Sequence, residues 1–429
     1  MTELARESMW GTVHRRLRSP AAWSETVDLF AILTAASLPW STSLAAIFNV
    51  LMLICMVPFL DLRDFLRSLK RPICVAPIAL FLLALVGTLW SDAPWGARLY
   101  AVNPTAKLLV LPILIYHFER SARGHLVFIA FLVSCTLLSV MSWLVFFHPT
   151  LSLKPPDEPA SRGIFVKNYI DQSQEFTLCA VALALPIVKL LQEKRVWLAA
   201  LLAAISLSFF VNMAFVVISR TALVTAPIML AVFGLLHLKW RSVLLIFAAL
   251  AALAVVTWHT SSKLHTTIET FSTQYQLYKE KGIPTSIGLR LEFWRKSLGF
   301  FAEGPIVGHG TGSTRGLFEQ AATGGPYKAS SEVIGNPHNQ TLNVAVQWGV
   351  IGVVILYAMW GLHLLLFRGD ELANWIGLLV VVQNIFTSLF NSHIFDFHEG
   401  WMYVLGVGVA GGMVVKSRRT GEGAGEARG

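Results

Sequence analysis

A histidine directly before an apolar stretch is the strongest candidate for acid–base chemistry in this sequence. His338 follows Asn336-Pro337 and precedes a predicted membrane-spanning helix that starts near residue 340. Proline favours an extended approach to a helix, so His338 is predicted to lie at or near the helix N-terminus. The positive end of the helix dipole disfavours a protonated ring, which leaves a neutral imidazole able to accept a proton. The alternative is a histidine that only caps the helix.

Arginines at two places could bind a phosphate-containing substrate. Arg220 lies at the junction of two apolar stretches with almost no loop, so its guanidinium is predicted at the outer membrane surface. There it either snorkels to the interface or anchors an anion. Arg290 and Arg295 border the apolar stripe of a predicted amphipathic helix and are predicted either to reach the lipid headgroups or to be simple surface charges. Lys296 is predicted to point away from the stripe into solvent.

Lys107 lies in the middle of a predicted span, in Asn103-Pro-Thr-Ala-Lys107. A basic side chain at that depth is costly and usually faces a cavity or a partner group. The alternative is that the side chain snorkels outward past Pro104. The first interpretation makes Lys107 a candidate for binding substrate.

Two other motifs have simpler explanations. The run from Gly304 to Ser313 contains four glycines and could cradle a phosphate, but it lacks the preceding strand and the Lys-Ser/Thr of nucleotide-binding loops, so a tight turn is favoured. His393, Asp396, His398 and Glu399 crowd a short predicted loop with a spacing that could suit metal ligands. A cluster in a loop is weak evidence alone, and neither a metal nor a cofactor is predicted.

Composition places these residues in a membrane protein. Only 14% of the 429 residues are charged and 55% are hydrophobic, whereas a soluble chain carries about 25% charge. Apolar runs near 20 residues recur along the chain, which predicts an all-α polytopic fold. The net charge of +9 is explained by basic residues at alternate ends of spans, not by a nucleic-acid partner. The four cysteines lie in apolar runs and indicate no disulfide framework.

About twelve spans are predicted, with both termini cytoplasmic because Lys and Arg mark every inner connection. A large helical loop is predicted between spans nine and ten, on the periplasmic side if the organism is Gram-negative. No cleaved signal peptide is predicted. The predicted regions are a basic cytoplasmic leader (1–22), nine spans (23–258) interrupted by a polar outer segment (148–172), the large loop (259–337), three spans (338–415) and a cytoplasmic tail (416–429).

The sequence resembles the O-antigen ligase family of Gram-negative bacteria, within the wider superfamily of ligases and polymerases that use polyprenyl-linked glycans. His338-Asn339, nine residues and then Gly349-Val-Ile-Gly352 look like the ligase signature, although Val353 stands where threonine is common. Ser219-Arg220 and Arg290 with Trp294 match family positions. The segment from Arg162 to Asn168 resembles the family's first periplasmic segment. The resemblance covers the whole predicted topology.

The resemblance implies a metal-independent, inverting, membrane-embedded glycosyltransferase of the GT-C-like type. Its donor would be O-antigen linked to undecaprenyl pyrophosphate and its acceptor a sugar hydroxyl of lipid A–core, in the inner membrane with the active site facing the periplasm. His338 would be the catalytic base. The residues implied to bind pyrophosphate or substrate are Arg220, Arg290, Arg295, Arg162 and Lys107. Partners would be these lipids, with no nucleic acid and no cofactor.

Three alternatives stay open. An O-antigen polymerase or a protein O-oligosaccharyltransferase would share the topology and the arginines, but the spacing from His338 to Gly352 favours a ligase. A transporter or flippase for lipid-linked glycans would spread ionisable residues through the spans, whereas here they concentrate at the outer face. The last alternative is a non-catalytic partner in an envelope assembly.

Overall fold

The computed structural model describes residues 19–154, 162–217, 219–241, 244, 248, 251–252, 255, 258–260, 262–325 and 327–426, without the side chains at 220, 262–264, 267 and 421–426. These residues form helices joined by turns, and no β-strand occurs among them. The all-α class is therefore confirmed. Most of the predicted leader and most of the predicted ninth span, 242–258, lie outside the described residues.

The helices, in chain order, are α1 (Pro20–Ser37), α2 (Thr42–Met56), α3 (Leu62–Leu69), α4 (Pro72–Val86), α5 (Trp95–Ala106), α6 (Val110–Phe118), α7 (Gly124–Phe147), α8 (Tyr169–Ala182), α9 (Ala184–Gln192), α10 (Val196–Phe215), α11 (Arg220–His237), α12 (Ser262–Lys281), α13 (Ser286–Glu303), α14 (Thr314–Gln320), α15 (Gln340–Leu366), α16 (Leu372–Thr387) and α17 (Phe397–Glu426).

Several of these helices are long and apolar enough to cross a bilayer. Within the described residues six stretches qualify: Thr42–Phe59, Trp95–Phe118, Gly124–Phe147, Tyr169–Gln192, Val196–Phe215 and Gln340–Leu366. Helices α3 and α4 would add a seventh as one span bent by 83°. Two further helices of the described residues, Thr221–His237 and Leu372–Thr387, are apolar but shorter than a full span. The chain therefore has the helices of a polytopic membrane protein, and the total of twelve spans stays a prediction.

The core is built by α17, which packs against α6 and α16, while α15 packs against α4 and α1 packs against α2 and α7. A turn at Pro39-Trp40 joins α1 and α2. The Trp40 indole N–H donates to the Ser134 hydroxyl at 2.7 Å, which fixes this hairpin against α7. All four cysteines are buried and free, as predicted.

Three helices begin at one end of the bundle, which we call the His338 end. The Gln340 amide at the start of α15 donates to the Ser388 carbonyl at the end of α16. A short loop then leads into α17, where His398 Nδ1 lies 2.6 Å from a carboxylate oxygen of Asp171 in the first turn of α8. Because α8, α15 and α17 all begin here, their partial positive charges point toward the same end of the molecule.

The apolar stripe of α13 was expected to lie on the membrane surface or to pack over the bundle, and it is not the face that the protein buries. The predicted stripe comprised Ile287, Leu291, Trp294, Leu298 and Phe301, whereas the buried residues are Gly288, Glu292, Phe293, Lys296, Ser297 and Phe300. Lys296 is 6% exposed rather than solvated. Its ammonium donates to the Ser330 carbonyl at 2.6 Å, and this bond offsets the cost of burying the charge. Phe293 and Phe300 pack on the ring of Phe318, and this aromatic packing determines which face of α13 is buried.

The glycine-rich run between α13 and α14 forms successive turns that dock on α15. Helix α15 is kinked at Gly349, whose φ of 59° and ψ of −156° are essentially restricted to glycine. A Cβ at Gly349 would lie 2.3 Å from the backbone of Ile306, so the missing side chain lets the turn approach. The first glycine of the motif therefore receives a turn.

The backbone amides of this run are already engaged within the protein. Their acceptors are the carbonyls of Gly304, Val346, Gln347 and Gly87 for residues 308, 309, 310 and 311, and the Gln347 side chain for Gly312. A phosphate-binding loop needs such amides to point at the ligand. The geometry therefore favours the predicted turn over the phosphate cradle.

Candidate functional site

His338 lies in the turn that leads into α15. Its backbone has a φ of 52°, which is uncommon for a residue with a side chain. Asn339 is the N-cap, because its side-chain oxygen accepts from the Leu342 amide at 3.0 Å. The alternative that His338 only caps the helix is therefore wrong. The histidine precedes the cap, and its ring is available for other contacts.

The environment of the half-buried His338 ring favours its neutral form. Nδ1 lies 2.8 Å from the side-chain oxygen of Asn391, and the ring packs 6.2 Å from that of Phe293 between centroids. Burial lowers the pKa of His338, and the positive charge of Arg290 lowers it further, while the Asn391 hydrogen bond opposes the change. A neutral imidazole was expected from the helix dipole. Burial is the main cause here, because it disfavours the charged form.

Asn391 belongs to a polar network that joins the start of α15 to the loop before α17. Asn336 accepts from the His338 amide at 3.0 Å and from the Ser392 hydroxyl at 2.7 Å, and it donates to Asn391 at 3.3 Å. Asn391 in turn donates to an oxygen of Asp396 at 2.5 Å. The network holds the imidazole between two segments that are distant in sequence.

Arg290 and Arg295 lie five residues apart on α13 and have different surroundings. Arg290 is half-buried, and its charge acts on His338. Arg295 is paired with Glu292 at 2.6 Å, and its side chain is 68% exposed. The hydrogen bond from Arg295 lowers the pKa of Glu292 despite its burial. The charge of Arg290 thus acts on His338, whereas Arg295 is paired with a carboxylate on its own helix.

Lys107 lies within the bundle but contacts the loop that carries Asn391. Its ammonium donates to the carbonyl of Phe395 at 3.3 Å and, through a shorter contact, to that of Asp396. A Cβ at Gly400 would lie 2.6 Å from Lys107 Nζ, so a glycine in α17 makes room for the ammonium. The predicted partner of Lys107 is thus a loop of the protein itself.

The two remaining predicted arginines lie on other segments. Arg162 is exposed, and its guanidinium lies 4.8 Å from the centre of the Phe146 ring, a cation–π contact. Arg220 is the first residue of α11 and follows Ser219 as N-cap, so it lies where one apolar helix gives way to the next. The side chain of Arg220 lies outside the described part of the chain.

The predicted cluster in the last loop divides into two. Ligand-type atoms of His393, Asp396 and Glu399 lie within 4.8 Å of one another, while His398 pairs with Asp171. Burial and the nearby Glu399 raise the pKa of Asp396 to about 6. Burial would lower the pKa of His393, but Glu399 and Asp396 outweigh it and raise that pKa. These opposite charges compensate one another, and the expectation of no metal stays a prediction.

Two features of this end of the molecule did not emerge from the sequence. One is the contact between His338 and Asn391. The only feature of the sequence that pointed to it was the group of polar residues beside Pro337. The other is the buried polar face of α8, where Lys167 Nζ lies 3.5 Å from an oxygen of the fully buried Glu175. The cluster of polar residues in the first turns of that predicted span was its signal.

An apolar cavity of about 320 Å³ lies among α1, α7, α8, α9, α10, α16 and α17. Its lining includes Leu38, Phe131, Leu178, Leu202, Val380 and Met402. Leu38 lies at the end of α1, and its carbonyl accepts from the Lys167 ammonium. The cavity therefore approaches the polar residues that precede α8.

This architecture is that of an all-helical polytopic membrane protein whose histidine, arginine and carboxylate groups gather at one end of the bundle. Residues 205–357 match the protein-family model described as O-antigen ligase. This stretch is therefore similar to the O-antigen ligase family that the sequence resembles, and the match is in line with a transferase role of the ligase or polymerase type. The matched stretch includes Arg220, Arg290 and His338. No match was found among the curated proteins.

Proposed function

We propose that this protein transfers O-antigen polysaccharide from undecaprenyl pyrophosphate to a sugar hydroxyl of lipid A–core. The observation that carries the proposal is the placement of a neutral, half-buried His338 close to the positive charge of Arg290. A base beside a fixed cation suits the attack of a hydroxyl on a carbon that bears a pyrophosphate leaving group. The proposed setting is the bacterial inner membrane, with the His338 end facing the periplasm and both termini in the cytoplasm.

In the proposed reaction His338 accepts the proton of the acceptor hydroxyl as its oxygen attacks the anomeric carbon. The new glycosidic bond forms while the bond from that carbon to the pyrophosphate oxygen breaks, and undecaprenyl pyrophosphate leaves with the bonding electrons. An in-line displacement inverts the anomeric centre. The proton on His338 then passes to solvent or to the departing phosphate.

Arginine side chains are proposed to balance the charge that develops on the leaving group. The charge of Arg290 lowers the pKa of His338, so Arg290 is proposed to act near the point of attack. Arg220 begins α11 and is proposed as the second cation, which would make the reaction independent of a metal. A guanidinium can donate two parallel hydrogen bonds to a phosphate, which is the interaction that the proposal requires.

The other predicted substrate-binding residues are proposed for less direct contacts. Arg162 and Arg295 are both exposed, and Arg295 already shares its charge with Glu292. They are therefore proposed to contact substrate outside the reacting centre. Lys107, whose ammonium lies against the loop before α17, is proposed to support the site by holding that loop.

The apolar cavity offers a place for the lipid part of the donor. A polyprenyl chain needs a surface without unpaired polar groups. The cavity meets this need, because apolar side chains from the surrounding helices form almost all of its lining. The cavity approaches the polar segment before α8 at Leu38. We propose that it binds the isoprenoid units nearest the pyrophosphate.

The test is an assay with purified protein, undecaprenyl-pyrophosphate-linked glycan and lipid A–core. Formation of a glycan–lipid A–core product supports the proposal. His338→Ala should lower the rate at least about 100-fold, the contribution of a positioned base, with donor binding largely retained. Arg315→Gln, an exposed residue of α14 paired with Glu319, is the matched control and should leave the rate unchanged.

The alternatives give different products in the same assay. Longer polyprenyl-linked glycan without lipid A–core would indicate a polymerase, and glycan on an added acceptor protein would indicate an oligosaccharyltransferase. Passage of the donor across a vesicle membrane without a new glycosidic bond would indicate a flippase. Any of these results, or a His338→Ala variant with the wild-type rate, would overturn the proposal.

A further inference from the structure

The side-chain amide of Asn391 is held in one orientation by groups whose roles as donor or acceptor are fixed. The backbone N–H of His338 can only donate, so the Asn336 atom that it contacts at 3.0 Å is the oxygen. The NH2 group of Asn336 is then the group that faces Asn391, at 3.3 Å. The atom of Asn391 on that side must therefore accept, and it is the oxygen.

The opposite side of Asn391 gives the same answer independently. An ionised carboxylate can only accept, and an oxygen of Asp396 lies 2.5 Å from Asn391. The atom of Asn391 on this side must therefore be the NH2 nitrogen. With a pKa of about 6, Asp396 is mostly ionised at neutral pH. Both contacts thus turn the Asn391 oxygen toward His338.

We propose that Asn391 and Asp396 set the tautomer of His338, so that Nδ1 carries the hydrogen and Nε2 is the proton acceptor. The 2.8 Å contact joins Nδ1 to an oxygen that can only accept, so a neutral ring must donate from Nδ1. The lone pair then lies on Nε2, on the far side of the ring from Asn391. This inference rests on the proposed function, and it makes Asn391 and Asp396 positioning residues.

Two hydrogen bonds from Lys107 hold the loop that carries Asp396. The Lys107 ammonium donates to the carbonyls of Phe395 and Asp396, which fixes the backbone of the loop. The charged groups that act on the imidazole are Arg290 from α13 and His393 from the loop before α17, and both lower its pKa. Neither offers Nδ1 an acceptor, so the Asn391 oxygen is the group that defines the tautomer.

The first test is nitrogen-15 NMR of histidine-labelled protein in detergent at neutral pH. The His338 signals are identified by subtracting the spectrum of His338→Gln. The expected result is a protonated Nδ1 and an unprotonated Nε2, with a mixture of both tautomers in Asp396→Asn. A wild-type ring protonated at Nε2 would overturn the proposal. Because this measurement needs no turnover, its result does not depend on the identity of the substrates.

The second test exchanges the two side chains. Asp396→Asn alone should lower kcat in proportion to the fraction of His338 that adopts the wrong tautomer, because a wrong tautomer in a histidine base costs up to about 10⁴. The double variant Asn391→Asp/Asp396→Asn should restore kcat at alkaline pH. In it the carboxylate at position 391 accepts from His338 Nδ1–H, and the amide at position 396 donates to that carboxylate.

The double variant also has a signature that a merely structural pair would not produce. The new carboxylate stabilises the imidazolium, so the acidic limb of its pH–rate profile should move upward by about 1 pH unit or more. Restored kcat with that shift supports the proposal. An Asp396→Asn variant with wild-type kcat, or a double variant that is not restored, would overturn it. If wild-type protein forms no ligated product while the NMR result holds, the proposed function fails and the tautomer assignment stands.

Discussion

Nδ1 of His338 lies 2.8 Å from the side-chain oxygen of Asn391, a residue 53 positions further along the chain. The contact joins the turn before α15 to the loop before α17. The candidate base is therefore positioned by a neighbouring segment, not by the helix that follows it. Its ionisation is set by burial and by Arg290, which lies on a third segment.

Removing the charge of Arg290 should change the pH dependence of the reaction. Arg290 disfavours protonation of His338, so the pKa of His338 lies below its usual 6.5. In Arg290→Gln that pKa rises, and a larger fraction of the imidazole is protonated at a given pH. The acidic limb of the profile of kcat against pH should move upward, by less than about 1 pH unit for a pair near water. The rate at its optimum should also fall.

Arg290→Lys separates the two effects. Lysine keeps the positive charge, so the acidic limb should stay where it is in the wild type. It cannot reproduce the two parallel hydrogen bonds of a guanidinium to a phosphate, so kcat or donor affinity should still fall. An unchanged acidic limb in Arg290→Gln would contradict the electrostatic coupling between Arg290 and His338.

Periodicity in the sequence was sufficient for most helices but not for the faces that they bury. Hydropathy placed most of the described apolar helices to within a few residues, because a bilayer demands long apolar helices, but α17 continues to Glu426, beyond the predicted end of its span at residue 415. On α13 the apolar stripe was expected to lie on the membrane or to pack over the bundle, yet the face that the protein buries is a different one, with Phe293 and Lys296. A buried lysine depends on the carbonyl of Ser330, and a partner 34 positions away cannot be deduced from helical periodicity.

The candidate site shows the same division. His338 and Arg290 were identified from residue type and local spacing, and the structure brings them together. Asn391 was missed because an amide in a short loop has no distinctive pattern until its partners are known. Lys107 was correctly expected to face a partner, but that partner is a pair of backbone carbonyls.

Replacing Lys107 should impair the chemistry rather than the binding of donor. Lys107→Met leaves the carbonyls of Phe395 and Asp396 without their donor and loosens the loop that carries Asn391. The expected result is a fall in kcat of roughly tenfold, the effect of about 1.4 kcal/mol, with little change in the KM for donor. Steady-state kinetics over a range of donor concentrations provides the measurement.

Lys189→Met is the matched control for Lys107. The Lys189 ammonium also donates to a backbone carbonyl, that of Asp370 at 3.0 Å, but it is exposed. Its replacement should leave both constants unchanged. A rise in the donor KM of Lys107→Met at constant kcat would instead support the sequence-based prediction that Lys107 binds the substrate.

A methyl group at Gly349 should destabilise the protein. Gly349→Ala must either abandon a backbone conformation that is nearly exclusive to glycine or displace Ile306, whose backbone would lie 2.3 Å from the new Cβ. The cost should be on the order of 1–3 kcal/mol, seen as a lower Tm in detergent. Gly361→Ala, in the same helix with nothing within 4 Å of its Cβ position, should not lower Tm. Equal Tm values for the two variants would contradict the strained kink.

A larger side chain in the apolar cavity should discriminate between donors by the length of their lipid. Leu202 lines the cavity, so Leu202→Trp should occupy space that the proposed isoprenoid chain needs. Each CH2 that loses its buried surface costs about 0.8 kcal/mol, so the KM for the undecaprenyl donor should rise at least tenfold. A donor with a two- or three-isoprene lipid reaches less of the cavity, and its KM should change less. Leu201→Trp is the control, because Leu201 precedes Leu202 on α10 but is 48% exposed. If both tryptophan variants affected the two donors equally, the cavity would not be the lipid site, while the assignment of His338 would be unaffected.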